Sequence, residues 1–253
     1  MVCNYVSACI FCRILKFTEQ KVKNKRLNAE GNFGKHLSFR SFAIEMDVRE
    51  NILEKATELY TRFGIRAVTM DDIAKELGIS KKTIYQYYKD KSELVSTITK
   101  YHFDIESQRF CGLTEESKNG VHELVLLSTC LRDSIRETKM NLLHELQKFY
   151  PKAWKMYEEF KGNVMKESIV NVIERGKREG LFRPSIDAEL IAIMRIEQVQ
   201  TFLLGNLVPR DKYTIEEIQM QLFDHFMHGL FTIEGHQLFN QYTTNSKNNE
   251  EQN

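Results

Sequence analysis

Hydrophobic residues recur along most of this chain at the spacing of amphipathic α-helices, which have one apolar face each. The strict alternation of a half-buried strand does not stand out anywhere between residues 121 and 231. Proline, which interrupts helices, occurs at three positions, Pro151, Pro184 and Pro209. The pattern therefore predicts an all-α fold class.

The clearest helices of the N-terminal half flank a short central segment. The helix before it is closed by Gly64 and carries its apolar residues at Ile52, Leu53, Ala56, Leu59, Tyr60 and Phe63. The helix after it shows the same spacing at Leu94, Ile98, Tyr101 and Ile105. The segment between them, residues 69 to 88, is the most informative part of the sequence.

Residues 69 to 88 predict two short helices joined by a tight turn. Thr69 can cap the first helix with its hydroxyl, and Asp72 stands three residues later as a capping-box partner. Gly78 can adopt the left-handed conformation that ends a helix, and Ser80 can cap the next one. The first helix turns three small or apolar residues to one face, Ile73, Ala74 and Leu77. Two helices in this order form a helix-turn-helix, the unit that places its second helix in the major groove of DNA.

The second helix, from about Lys81 to Tyr87, carries side chains that suit DNA. Ile84 is predicted to point inward, whereas its neighbours face outward or lie at the edge. Lysine neutralises phosphates, hydroxyl groups donate to phosphate oxygens, and Gln86 is a type that can read adenine. Lys91 lies at the start of the next predicted helix, where an ammonium group suits a phosphate. The predicted DNA-binding residues are Thr69, Lys81, Lys82, Thr83, Tyr85, Gln86, Tyr87, Tyr88 and Lys91.

The caps, the glycine turn, the apolar spacing and the basic second helix agree with one another, which favours DNA binding over an ordinary solvated helix end. Over residues 46 to 106 the chain resembles the TetR family of bacterial one-component transcription regulators. The matching residues lie between Val48 and Glu106 and include Ala56, Phe63, Gly64, Thr69, Ile73, Ala74, Gly78, Ser80, Thr83, Tyr85, Tyr87, Lys91 and Leu94. A second match is the Gly-Leu-Phe-Arg-Pro run at residues 180 to 184, followed by Asp187. Lys82 stands where the family often has glycine, and Tyr88 where phenylalanine is usual, which leaves the operator sequence open.

The resemblance implies a ligand-responsive repressor that binds a palindromic operator as a homodimer. Its expected domains are a three-helix DNA-binding domain at residues 46 to 106 and a helical effector-binding and dimerisation domain at residues 107 to 235. An effector would shift the helix that follows the motif and so change the spacing of the two DNA-reading heads. The expected partners are double-stranded DNA, a second copy of the chain and a small-molecule effector of unknown identity. A helical sensor or interaction module that no longer reads DNA is the alternative class.

The resemblance also implies positions for the effector and for the dimer contact. An apolar pocket is expected among the middle helices, although methionine and aromatic residues at helical spacing more often belong to a core. The candidate pocket residues are His144, Tyr150, Trp154, Met156, Tyr157, Met194 and Gln198. The last two helices are expected to pair with their copies as a four-helix bundle. The candidate interface residues are Phe202, Leu222, Phe226 and Leu230.

Composition narrows the function classes further. The chain of 253 residues has a net charge of +1, yet four lysines accompany a single aspartate within residues 79 to 91. A neutral protein with a basic edge suits sequence reading better than general coating of nucleic acid. The five cysteines are scattered and odd in number, so we expect a reducing cytoplasm rather than a disulfide framework. His225 and His228 lie three residues apart with His236 nearby; a metal site is one interpretation, and a partly exposed pair at a helix interface is favoured. We expect no enzyme activity, metal, cofactor or membrane span.

The two ends of the chain fit the helical pattern poorly. The apolar stretch at residues 2 to 17 is too short for a membrane span of about 20 residues, and it lacks the basic start of a signal peptide. Met46 stands immediately before the first predicted helix, so residues 1 to 45 are expected to be a disordered or mis-started extension. A flexible basic arm that contacts phosphates is the alternative. Residues 236 to 253 are mostly polar and predict a flexible tail.

Overall fold

The computed structural model describes the backbone of residues 38–137, 141–205 and 212–250, and the side chains of residues 48–130, 142–205 and 212–243. Within these ranges the regular structure is helical, apart from an isolated bridge between Phe182 and Phe231. The predicted all-α fold class is confirmed. The elements in chain order are α1 (Ser38–Phe63), α2 (Met70–Leu77), α3 (Lys81–Tyr87), α4 (Lys91–Glu116), α5 (Gly120–Glu137), α6 (Asn141–Phe149), α7 (Pro151–Phe160), a π-helical turn (Lys161–Met165), α8 (Lys166–Arg178), α9 (Ala188–Leu204), α10 (Ile215–Leu230) and α11 (Ile233–Glu250).

The described chain divides into two compact units. Unit 1 contains the residues up to Tyr101 together with Glu137–Ala153, and unit 2 contains His102–Arg136 and the residues from Trp154 onward. The chain passes between the units within α4, at the last residue of α5 and within α7. The segment with α6 is therefore part of unit 1 although the segments on both sides of it belong to unit 2.

Unit 1 folds around an apolar core to which α1, α2, α3 and α4 each contribute. Fully buried side chains come from all four helices and include Ile52, Ala56, Ile73, Ile84 and Leu94. Leu142 and Leu146 of α6 pack against the same core. Burying one such side chain contributes about 1.5–3 kcal/mol, so the core fixes the short helices α2 and α3, which would not be stable alone.

Unit 2 has a separate core in which α5, α8, α10 and α11 take part. Val121, Val172 and Met227 are fully buried there. The loop between α8 and α9 adds Phe182, whose ring centroid lies 5.4 Å from that of Phe231. Gly176 on α8 is packed against the Phe182 ring, in the space that any larger side chain would need. The core therefore holds the loop after α8 against the end of α10.

Several boundaries differ from the sequence expectation. α1 begins at Ser38, upstream of Met46, and the expectation for residues 1 to 37 lies outside the described residues. Unit 2 begins at His102 instead of residue 107, and α6 packs on the core of unit 1. The sequence could not predict this, because hydrophobic periodicity shows that a helix has a buried face but not which core that face joins. The flexible tail predicted from residue 236 is wrong at its start. α11 covers Ile233–Glu250, and Phe239 anchors it with 7% exposure.

Candidate functional site

The first helix of the motif, α2, is fixed at both ends by the residues that the sequence indicates. Thr69 Oγ1 accepts a hydrogen bond from Asp72 N at 3.1 Å, and Asp72 Oδ2 accepts one from Thr69 N at 2.8 Å. The hydrogen bonds from Thr69 hold the pKa of the Asp72 carboxyl below its usual value. Gly78 ends the helix with φ 65°, a left-handed conformation that glycine adopts without strain. The predicted capping box and glycine turn are confirmed.

The second helix of the motif, α3, is short and presents its polar side chains to solvent. Ser80 Oγ accepts a hydrogen bond from Thr83 N at 3.1 Å, which caps the helix. Ile84 is fully buried and attaches α3 to the core of unit 1. This anchor leaves the opposite side of the helix exposed, with Lys82, Tyr85 and Gln86 on it. These three residues are free to approach a groove of DNA.

Lys81 is exposed on α3 but already has an ionic partner. Its ammonium Nζ lies 2.6 Å from Asp71 Oδ2 on α2. The hydrogen bond from this ammonium group to the Asp71 carboxylate raises the pKa of Lys81. An exposed pair of this kind exchanges readily with water. Lys81 can therefore contact a phosphate after leaving Asp71, whereas Lys82 has no such competition among the described side chains.

Tyr88 is not at the DNA-facing surface. Its side chain is 1% exposed within the core of unit 1, and its hydroxyl donates to Arg49 O at 3.3 Å. Burial raises the pKa of Tyr88. The sequence prediction of a DNA contact at Tyr88 is wrong, because α3 ends at Tyr87 and the chain then turns the next ring inward. Tyr87 itself is partly buried against the same core.

Lys91, at the start of α4, clamps the loop that leads into the motif. Its Nζ donates to Val68 O at 2.5 Å and to Arg66 O at 3.5 Å. Burial lowers the pKa of Lys91. The ammonium group that the sequence assigns to a phosphate is thus bonded to backbone carbonyls just before Thr69. In this arrangement Lys91 positions α2.

A second support of the same loop comes from α6. Glu145 Oε2 accepts a hydrogen bond from Arg66 N at 2.9 Å. The Arg66 guanidinium lies 4.3 Å from the ring centroid of Phe149, a cation–π distance. Sequence reasoning missed Glu145 and Phe149 because 79 residues separate Arg66 from Glu145, and no local pattern reports such a contact.

Aromatic rings gather in unit 2 apart from its apolar core. The Phe103 and Phe160 rings are stacked with centroids 4.6 Å apart, and Phe110 lies 6.0 Å from Phe160. Tyr157 lies 6.0 Å from Phe103 and 4.8 Å from Trp154. We call these five residues of α4 and α7 the aromatic cluster. It contains Trp154 and Tyr157 of the predicted effector pocket, whereas sequence reasoning missed the three phenylalanines, whose spacing also fits a core.

The other predicted pocket residues are dispersed. His144 is exposed on α6, and Tyr150 packs against the core of unit 1. Met194 is 57% exposed on α9. Gln198 accepts a hydrogen bond from Arg195 Nη1 at 3.2 Å, and Met156 is partly exposed on α7. The structure therefore gathers only part of this set within one unit.

The predicted dimer residues also divide. Leu230 is 2% exposed in the core of unit 2, so it is unavailable to a partner in this arrangement, and its prediction is wrong. Phe202, Leu222 and Phe226 are partly exposed. Exposed apolar residues that the dimer prediction did not include lie on α9 and α10, and one of them, Met194, was predicted for the effector pocket instead. These residues are Leu190, Ile193, Met194 and Met220.

The histidines of α10 and α11 form contacts with other side chains. His228 Nε2 lies 3.5 Å from Asp224 Oδ1, and the His228 and His236 ring centroids are 5.0 Å apart. In the part of the chain that the structure describes, no group of three or more potential metal ligands comes together. Across the same ranges, no helix is both long and apolar enough to cross a membrane.

Comparison with known proteins finds a family match over the DNA-binding motif and weaker similarity beyond it. The family model described as bacterial regulatory proteins, tetR family, matches residues 52–98, from α1 into α4. The transcriptional repressor KstR2 of Mycobacterium tuberculosis H37Rv is 25% identical over 146 residues, which are 56% of this chain and 73% of the repressor. The uncharacterized regulator YhgD of Bacillus subtilis is 27% identical over 168 residues, 61% of this chain and 81% of that protein.

Solved structures share the fold. A transcriptional regulator from Saccharomonospora viridis, crystallised with choline, has a TM-score of 0.62 and 22% identity, and the match covers 74% of this chain and 99% of that one. Reduced NemR of Escherichia coli has a TM-score of 0.61 and 13% identity, with 74% and 98% covered. At these identities the likeness concerns the arrangement of helices.

Proposed function

Since the chain belongs to the TetR family of DNA-binding transcription regulators, we propose that it is a ligand-responsive repressor that binds a palindromic operator as a homodimer. It is a regulator and not an enzyme. The observation that carries the proposal is the capped helix α3, whose buried Ile84 leaves Lys82, Tyr85 and Gln86 exposed together. The similarity to the repressor KstR2 supports repression rather than activation of transcription. A bacterial operator would place this activity in the cytoplasm.

On the operator, α3 enters the major groove, where some of its side chains contact bases and others contact phosphates. Gln86 can make the paired hydrogen bonds that distinguish adenine, which gives sequence preference. Lys82 neutralises a phosphate and Tyr85 donates to a phosphate oxygen, which fixes the position of the helix. Lys91 and Glu145 act indirectly, because they hold the loop that precedes α2.

A homodimer supplies two copies of α3 for the two halves of a palindrome. The apolar stripe of Leu190, Ile193, Met194 and Met220 supports α9 and α10 as the surface between the copies, since exposed apolar side chains in a row favour burial. Dimeric readers of this type contact half-sites about 34–36 Å apart, or a multiple of that distance.

Regulation requires an effector that binds one conformation better than the other. The effector can shift the population only by its differential affinity for the two conformations. We place it in unit 2, at the aromatic cluster. The helices α4 and α7 both carry residues of this cluster and both continue into unit 1, which supports them as the elements that respond to the effector.

The experiment is a titration of the full-length protein against DNA from upstream of its own gene and the neighbouring genes, with random DNA as control. We expect one fragment to be preferred, with the preference persisting as the salt concentration rises. Lys82→Ala should weaken binding to all DNA and reduce the salt slope by about 1, whereas Lys100→Ala, at an exposed position on α4, should change neither. Equal binding to every fragment that disappears with salt would instead favour a sensor that no longer reads sequence.

A further inference from the structure

The aromatic cluster combines stacked and inclined rings. The Phe103 and Phe160 rings are inclined by 15° and the Phe110 ring by 25° to Phe160, whereas the Tyr157 ring is tilted by 39° to Phe103 and by 40° to Trp154. Four of the five rings remain partly exposed, so they are accessible from outside, and Phe160 beneath them is 9% exposed. None of these five rings belongs to the described apolar core of unit 2. A planar ligand can extend such a stack at the 4.5–7 Å centroid spacing that aromatic pairs prefer.

Two polar groups at the rings, the imidazole of His102 and the hydroxyl of Tyr157, are uncharged at neutral pH. Desolvation lowers the pKa of His102 to about 4, so its imidazole is neutral above that pH. Burial, with smaller contributions from Glu158 and Glu197, raises the pKa of Tyr157 to about 12. The Tyr157 hydroxyl therefore keeps its proton and can donate it to a carbonyl oxygen. Neither group offers a full charge to a ligand.

The charged groups near the cluster compensate one another. Lys161 Nζ lies 3.0 Å from Glu158 Oε2 and 3.1 Å from Glu197 Oε1, and it donates to Gln200 Oε1 at 2.6 Å. Lys161 is 8% exposed, so these partners satisfy a buried ammonium group. A charged ligand brought against the rings would lose hydration without gaining an unpaired opposite charge.

We propose that the aromatic cluster binds an uncharged, planar, aromatic effector that stacks on Phe103, contacts the inclined rings of Tyr157 and Trp154, and accepts a hydrogen bond from Tyr157. This ligand class rests on the proposed function, in which the aromatic cluster is the effector site. It requires that a neutral aromatic amide bind better than an acid or an amine with the same ring system.

Trp154 is the single tryptophan of the chain, so its fluorescence reports on the cluster directly. The probes are naphthamide, naphthoate and naphthylmethylammonium, titrated into the full-length protein at neutral pH, with calorimetry as a second readout. We expect naphthamide to quench Trp154 and to bind at least about tenfold more tightly than either ion, a difference of about 1.4 kcal/mol. Equal affinities, tighter binding of an ion, or no binding of any probe would overturn the assignment.

Two variants separate the site from the fold. Phe103→Ala should weaken naphthamide binding at least about tenfold, whereas Phe63→Ala, at an exposed ring in unit 1, should leave it unchanged. Tyr157→Phe keeps the ring and should lose affinity for naphthamide but not for naphthalene, which has no carbonyl oxygen to accept the hydrogen bond. An equal effect of Phe103→Ala and Phe63→Ala would overturn the proposal. Each variant is also titrated with DNA, so that failure of ligand binding is distinguishable from failure of DNA binding.

Discussion

At the scale of single residues, neighbouring side chains of the motif have opposite tasks. Gln86 is exposed on α3, whereas Tyr88, two positions later, is buried with its hydroxyl on Arg49 O. Sequence reasoning placed both at the DNA because Gln86 lies on the basic helix α3 and Tyr88 directly follows it. It could predict the caps, since Thr69, Asp72, Gly78 and Ser80 act locally. It could not predict the inward turn at Tyr88, which depends on packing against α1.

Substitutions at these two positions should separate recognition from stability. Gln86→Ala should leave the unfolding free energy unchanged and reduce discrimination of the preferred operator by about 1–3 kcal/mol. Tyr88→Ala should instead lower the unfolding free energy by about 3 kcal/mol or more, because it empties a filled core position. Denaturant unfolding and operator titration check both. If Tyr88→Ala left the protein stable and weakened DNA binding, Tyr88 would be a DNA-contacting residue and its assignment to the core would be wrong.

Lys91 should behave as a positioning residue. Lys91→Met keeps the aliphatic stem but removes the donor to Val68 O, so the unfolding free energy should fall by about 1 kcal/mol. Lys100→Met, at an exposed position on the same helix, is the matched control and should have no such effect. If Lys91→Met left the unfolding free energy unaltered and reduced the salt slope of DNA binding by about 1, the main role of Lys91 would be a phosphate contact and not support of the loop.

At the scale of elements, hydrophobic periodicity predicts where helices run better than which neighbours they have. The stripe on α6 was visible in the sequence, but its packing on unit 1 depends on Leu142, Leu146 and Glu145 meeting residues far away in the chain. The aromatic cluster was only partly predicted, because it too depends on contacts between residues that are far apart in the chain. Trp154 and Tyr157 were pocket candidates through the family resemblance, whereas Phe103 was not among the predicted residues.

The ion pairs of unit 2 provide a test at this scale. Arg175 on α8 donates to Glu123 Oε2 on α5 at 2.8 Å and to Ser117 Oγ at 2.6 Å, next to the end of α4. Glu123 is 3% exposed. Arg175→Met would leave this carboxylate buried without its cation, and we expect the unfolding free energy to fall by about 3–5 kcal/mol.

Arg195 on α9 is the matched contrast. It is 6% exposed, lies over the Phe226 ring at 5.3 Å and forms no ion pair with a carboxylate of the described side chains. Desolvation lowers the pKa of Arg195 to about 10, so its positive charge is unfavourable in the folded state at neutral pH. Arg195→Met should therefore leave the unfolding free energy unchanged or raise it by about 1 kcal/mol. Thermal unfolding of both variants checks the contrast, and a large loss at Arg195 would point to an undescribed partner.

At the scale of the whole molecule, the sequence was sufficient to predict the class of protein. A local motif, an all-helical pattern and a family resemblance led to a transcription regulator, and the fold and the related proteins agree. The proposed dimer surface was only partly predictable, because a stripe such as Leu190, Ile193 and Met194 looks like any buried helix face until the rest of the fold leaves it exposed. The proposed effector site leaves no motif, since its residues are distributed over two helices.

The measurement that tests the central claim most directly is footprinting of the preferred DNA fragment with the full-length protein. We expect two protected half-sites of inverted sequence whose centres lie about 34–36 Å apart, or a multiple of that distance. Gln86→Ala should lose the preference for the half-site sequence, and Ile193→Glu should dissociate the dimer and abolish joint protection while the protein stays folded. Protection without symmetry, or a footprint unchanged in both variants, would contradict a dimeric repressor that reads DNA through α3.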